Sequence, residues 1–300
     1  MPPGKNLPDG LTVMITISNK RMPMNRRELI SLFVASPLLK GVPAKLRNPF
    51  FVFDNGLGRG VLPLEQQAEL AHKAGYDGIL FTGVANIPEM RRHLESRGMK
   101  MFGIYTGMNL SAPNQGYDPG LPDAIRQLKG SGAMITFTVN GKHSDADAIA
   151  TKVVQQVADM AADSGLRFAF YPHYGMHVAR IEDALRIREM AGRSNVGVIF
   201  NLCHWLRSGD EPNLATRIEQ VKSCLYMVNI NGCDHEGDWD RLIQTLDRGE
   251  YDVYNFLHPI LTAGFAGPIG LQCYNIKGDI EDNITRSMAA WKKLEKRLTL

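Results

Sequence analysis

Eight short apolar runs alternate with segments of helical spacing between residues 49 and 298. Glycine or proline stands at the junctions, and several runs end in polar residues. These observations predict an α/β chain folded as a single (β/α)8 TIM barrel, in which functional side chains gather at the C-terminal ends of parallel strands. A doubly wound open sheet is the runner-up, but it normally uses fewer strands. Gly56-Leu-Gly58-Arg-Gly60 follows the first run without the spacing of a dinucleotide fingerprint. Its glycines suit a tight loop over the barrel mouth.

Residues 49–54 read as the first strand and 63–74 as the helix after it, broken at Gly75. Strand two is 76–81, followed by a helix at 88–97, and strand three is 99–105. A helix near 122–128 leads into strand four, 133–139. Apolar residues at helical spacing fill 145–162, and Ser164-Gly165 stands where a helix C-cap would. Strand five is 167–171 and the next helix 181–191; strand six is 196–201, with its helix at 214–222. Strand seven is 224–230, helical pattern covers 239–248 and 251–261, and strand eight is 268–272. An amphipathic helix over 279–298 closes the barrel.

Composition narrows the function classes. The chain has 300 residues, enough for one barrel of about 250 residues. A hydrophobic share of 44% and a charged share of 22% are those of an ordinary globular protein. The net charge is only +3 and no basic run interleaves with aromatics, so nucleic acid is not an expected partner. The four cysteines form no Cys-x-x-Cys pair, and Cys203 and Cys273 read as small buried hydrophobes.

Residues 1–44 read as a leader outside the barrel domain of 45–300. Met24-Asn-Arg26-Arg27 precedes an apolar run at 29–39 and the small-residue exit Gly41-Val-Pro-Ala44. This is a secretory pattern with adjacent arginines of the twin-arginine kind, and it predicts export to the periplasm with a mature start near Lys45. Otherwise the protein would be cytoplasmic. The run is too short to span a bilayer, which takes about 20 residues.

The candidate site lies at the strand tips. Val198-Ile-Phe-Asn201-Leu-Cys-His204 and Phe168-Ala-Phe-Tyr171-Pro-His173 each end a buried run in polar residues. Asn229 and Asn231 end the seventh strand and Gln272 the eighth, with Lys277 just beyond. Polar groups on buried strands are costly unless something pairs with them, which favours one shared pocket. His204 and His173 are the candidate acid/base residues. Asn201, Asn229, Asn231, Gln272, Tyr171 and Lys277 are the candidate substrate contacts, the amides offering both donors and acceptors to hydroxyl groups.

Tyr171-Pro-His173-Tyr-Gly175, Glu182-Asp-Ala-Leu, Gly197-Val-Ile-Phe-Asn201-Leu-Cys-His204 and Gly267-Pro-Ile-Gly-Leu-Gln272 resemble the xylose isomerase-like TIM barrels, which include sugar phosphate isomerases and epimerases. The resemblance covers residues 49–298. It implies a carbohydrate substrate and one divalent metal, held by a strand-five Glu, a strand-six Asp in Asp-x-x-His, a strand-seven His and a strand-eight Glu. Here the matching positions hold Tyr171 or its neighbour, Asn201, Asn229 or Asn231, and Gln272, and only His204 of the strand-six motif is unchanged. No cofactor is therefore expected. Manganese, magnesium or zinc would need His173, His204 and a carboxylate such as Asp54 or Asp234 turned inward.

Three functions follow. The first is a sugar isomerase or epimerase using histidine acid/base chemistry. The second is a lyase or hydrolase of a keto-sugar or keto-glycoside. The third is a carbohydrate-binding barrel without catalysis.

Overall fold

The computed structural model describes residues 46–112 and 116–299. The expected leader and its export segment lie outside them. The eight described strands are β1 (Phe50–Phe53), β2 (Gly78–Thr82), β3 (Lys100–Asn109), β4 (Met134–Asn140), β5 (Arg167–Phe170), β6 (Val196–Asn201), β7 (Leu225–Ile230) and β8 (Ile269–Leu271). They pair in parallel in sequence order, and β8 closes on β1 through Phe50–Ile269 and Val52–Leu271. The barrel is the fold class that the alternation predicts.

Period-two alternation divides each strand between two cores. Phe50 and Val52 face the helices, whereas Phe51 and Phe53 join Leu80, Met134, Ala169, Tyr171, Ile199 and Met227 inside the barrel. On the outside, Trp291 of the closing helix lies flat on Phe50 with ring centroids 4.1 Å apart. Fully burying a side chain of this class contributes about 1.5–3 kcal/mol. Inside, Gly270 leaves space that β1 and β7 fill. A Cβ there would strike the Phe51 ring and come within 2.6 Å of Asn229 Oδ1.

The helices between strands are α1 (Leu64–Ala74), α2 (Ile87–Glu95), α3 (Leu121–Gln127), α4 (Ala146–Asp163), α5 (Ile181–Ala191), α6 (Leu202–Arg207), α7 (Leu214–Val221), α8 (Trp239–Leu242), α9 (Val253–Thr262) and α10 (Ile280–Leu298). Gly165 follows α4 with φ +69°, the left-handed value that its position after the helix predicts.

Three elements depart from the sequence reading. β3 runs to Asn109, past the expected end at 105, because β4 pairs with it as far as Asn109–Asn140. α6 starts directly after β6, where no helix is expected, and carries His204. The helix expected over 239–248 is only the single turn of α8. Asn231 Nδ2 donates to the Leu242 carbonyl at 2.7 Å, and Gly232 pairs with Gln244 as an isolated bridge, so the chain leaves the helix there.

Candidate functional site

A cavity of about 390 Å³ opens at the C-terminal ends of the strands. Size and position are those of a small-molecule site on this fold. Phe53, Thr82 and Tyr105 come from β1, β2 and β3, and Tyr171 and His173 from the segment after β5. His204 comes from α6, Trp239 and Ile243 from the β7 loop, and Gln272 and Tyr274 from the end of β8. Asn55 and Arg59 reach in from the glycine-rich loop after β1.

The two histidines form a pair. Their ring centroids are 3.9 Å apart at 39°, and Trp239 and Tyr171 meet the His204 ring edge-on at 5.2 and 5.7 Å. His173 Nδ1 lies 2.9 Å from the Tyr174 carbonyl oxygen. A carbonyl only accepts, so neutral His173 carries its proton on Nδ1 and keeps the Nε2 lone pair free. His204 is buried, and its Nδ1 has no partner among the described residues. Burial lowers the pKa of His173 below the usual histidine value. His204 is pushed well below it, first by burial and then by the neighbouring His173. Both rings are therefore neutral at pH 7.

Gln272 is held by its own amide. Its Oε1 accepts from Asn55 Nδ2 at 3.0 Å, from the Cys273 backbone at 2.8 Å and from the Tyr274 backbone at 3.0 Å. Those three donors fix the amide, so Nε2 points the other way and donates to Tyr171 Oη at 2.9 Å. Burial raises the pKa of Tyr171 well above that of a free phenol, which keeps the hydroxyl protonated.

Four of the eight residues singled out in the sequence thus meet on one wall: His173, His204, Tyr171 and Gln272. Asn201 sits deeper, lining a small cleft with His204 and Pro172, and its Nδ2 has no partner among the described residues. Asn229, its register partner on β7, is fully buried with both amide atoms unpaired among the described residues. Asn231 turns away, its Nδ2 bound to the Gly232 and Leu242 carbonyls. Lys277 is exposed outside the cavity and donates to Asn275 at 2.7 Å.

Asn55, a polar residue at the tip of the first apolar run, also lines the cavity, as do Arg59, Thr82 and Trp239, which the sequence reading did not single out. Only Arg59 left a trace, as a lone cation among Gly56, Gly58 and Gly60. Beneath it, Asp54 is fully buried and accepts from Thr82 N at 2.7 Å and Thr82 Oγ1 at 2.6 Å. Arg59 Nε stands 3.8 Å from the same carboxylate.

The donor set does not fit the divalent metal that the resemblance implies. Asn201 and Gln272 replace the family's carboxylates, and Gln272 Oε1 is already saturated by hydrogen bonds. Asp54 is committed to Thr82, and Asp234, outside the cavity, is committed to Arg241 and to the Glu250 backbone. Neither turns inward. Among the described residues, no group of three or more His, Cys, Asp or Glu could hold a metal ion. Two imidazoles alone fall short of the three protein ligands of a catalytic zinc site.

Residues 68–294 match the family model for the xylose isomerase-like TIM barrel. A 3-dehydroshikimate dehydratase of Pseudomonas aeruginosa is 23% identical over 159 residues, which are 51% of this chain but 25% of that protein. The chain therefore spans about a quarter of the length of that relative. Among solved structures, a xylose isomerase-like TIM barrel/4-hydroxyphenylpyruvate dioxygenase fusion superposes with a TM-score of 0.66 at 18% identity, covering 85% of this chain and 43% of that one. The 3-keto-D-glucoside 4-epimerase from E. coli gives 0.67 at 15% identity, covering 83% of this chain and 99% of that one. The IolI protein with a bound zinc atom gives 0.66 at 14% identity, covering 83% and 98%. At these identities the structural likenesses carry the fold alone. The family model covers most of the barrel, and the chain belongs to the xylose isomerase-like TIM-barrel family.

Proposed function

We propose that this barrel is an isomerase or epimerase of a small carbohydrate bearing a ketone, working by histidine acid/base chemistry without a metal. One observation carries the reading. Two imidazoles held neutral by burial share the wall of a cavity with the fixed amide of Gln272 and the cation of Arg59. A neutral imidazole is a ready general base. His173 Nε2 takes a proton from the carbon next to the ketone, and the C–H electron pair moves onto the ketone oxygen. An N–H of Gln272 stabilises that enolate. The proton taken by His173 passes to the neighbouring His204 ring, and the His204 imidazolium returns a proton to carbon, so both rings end neutral and the reaction is redox-neutral and consumes nothing.

The names of two relatives support a ketone-bearing polyol: one acts on a 3-keto-D-glucoside, and the other is a 3-dehydroshikimate dehydratase. The dehydratase favours a second reading, in which the enolate expels a β-substituent, as in a keto-sugar lyase. Among the described residues no helix is long and apolar enough to cross a membrane. Export through the sequence at 24–44 remains part of the proposal.

The test is deuterium exchange. The protein, treated with chelator, is incubated in D2O with a panel of keto-sugars and followed by NMR. Exchange next to the ketone, lost in both His173→Gln and His204→Gln, is expected. A new epimer marks the first reading and a lost substituent the second. Binding with no exchange on any compound would leave only a carbohydrate-binding barrel and overturn the proposal.

A further inference from the structure

We infer that the substrate carries a carboxylate and that Arg59 is its anchor, a reading that rests on the proton-transfer function proposed above. Arg59 is the one side chain with a full charge lining the cavity among the described residues, since the two histidines there are neutral. Its guanidinium is half exposed, and no described residue accepts a hydrogen bond from it. Asp54 sits 3.8 Å from Nε but has already given both oxygens to Thr82. The carboxylate therefore holds the arginine in place without occupying its N–H fork. An arginine fork that is positioned and unengaged matches a carboxylate in a bidentate arrangement.

The rest of the wall agrees. Gln272 has its acceptor sealed by three donors, so that only its Nε2, which also donates to Tyr171 Oη, can serve a ligand. Tyr171 stays protonated. The cavity thus offers donors and a cation, with no carboxylate on its lining to repel an anion.

A phosphate ester fits less well. It brings about −1.5 to −2 charges against one guanidinium that already stands 3.8 Å from the Asp54 carboxylate. Barrels that bind phosphate commonly do so at the loops after strands seven and eight. Here the residues that the segments after β7 and β8 bring to the cavity, Trp239, Ile243, Gln272 and Tyr274, are all uncharged. No cation would meet the ester there.

The experiment compares acids with their neutral counterparts by titration calorimetry on the full chain. The pairs are 5-keto-D-gluconate with L-sorbose and D-galacturonate with D-galactose, and D-fructose 6-phosphate is the phosphate arm. At least one acid should bind about tenfold to a hundredfold tighter than its neutral partner. Arg59→Gln should remove the preference while Arg59→Lys keeps part of it. Should Arg59→Gln fail to fold, salt gives the same answer in the unmodified protein. Raising ionic strength from about 0.02 to 0.3 M should weaken the acid and leave the neutral sugar unmoved.

No acid preference, a preference that survives Arg59→Gln, or tighter binding of the phosphate ester than of both acids would each overturn the inference. Deuterium exchange in the same samples separates it from the reading beneath it. Exchange on L-sorbose without acid preference keeps proton transfer and removes the anchor. Arg59-dependent acid preference without exchange keeps the anchor and removes proton transfer.

Discussion

His204→Phe is expected to make the protein more stable. His204 is buried, and its Nδ1 has no hydrogen-bond partner among the described residues. An unpaired buried polar atom costs about 1–3 kcal/mol, and that cost disappears with the imidazole. Phenylalanine keeps the edge contacts to Trp239 and Tyr171, and its extra volume extends into the cavity beside it. We expect a net gain of about 1–2 kcal/mol, or a Tm rise of about 2–8 °C at 2–4 °C per kcal/mol for a domain of this size. The pH dependence should change as well. The folded pKa of His204 lies below its unfolded value. The unfolded chain therefore takes up a proton first as pH falls below about 6.5, and stability drops until the folded pKa is reached. One such group contributes up to about 1.4 kcal/mol per pH unit, and His204→Phe should flatten the slope by that amount. Thermal melts from pH 5 to 8, with deuterium exchange measured alongside, read both effects. A loss of more than about 1 kcal/mol with an unchanged slope would refute the argument, because Nδ1 would then be paired and the ring structural.

Three further outcomes are expected. Asn201→Asp with Gln272→Glu should raise calorimetric affinity for manganese or magnesium, while lowering the metal-free Tm because two carboxylates in one pocket repel each other; unchanged metal affinity would mean that the tips no longer converge. Gly270→Ala should cost about 1–3 kcal/mol in urea unfolding, since the added methyl meets the Phe51 ring and Asn229 Oδ1. Removing residues 1–44 should leave the melting midpoint nearly unchanged, and a fall of more than about 8 °C, roughly 2 kcal/mol, would contradict a leader outside the barrel.

The barrel was legible because the strands and helices differ in period, and each βα unit carries that contrast within its own sequence. α6 was not, because Leu202-Cys-His-Trp-Leu-Arg207 follows a buried strand and is itself apolar, so local pattern cannot say where the strand ends. The single turn of α8 was illegible for a different reason: Asn231 holds the Leu242 carbonyl across 11 residues. That hydrogen bond also explains why Asn231 looked like a substrate contact, since from sequence its polar amide has no visible partner. His173, His204, Tyr171 and Gln272 could be read from strand ends alone. Arg59 and Trp239 could not, because the segments after β1 and β7 bring them to the mouth and those paths follow tertiary packing.

The junction between β6 and α6 has a consequence for how the protein tolerates change. No loop separates Asn201 from His204, so the imidazole's direction is set by helical phase. One residue inserted between them would turn His204 by about 100°, away from the cavity. The loop after β1, with glycines at 56, 58 and 60, has no such phase to keep. Length changes there would move Arg59 while leaving the histidine pair where it is. Insertion scanning should therefore find one rim of the mouth rigid and the other open to retuning.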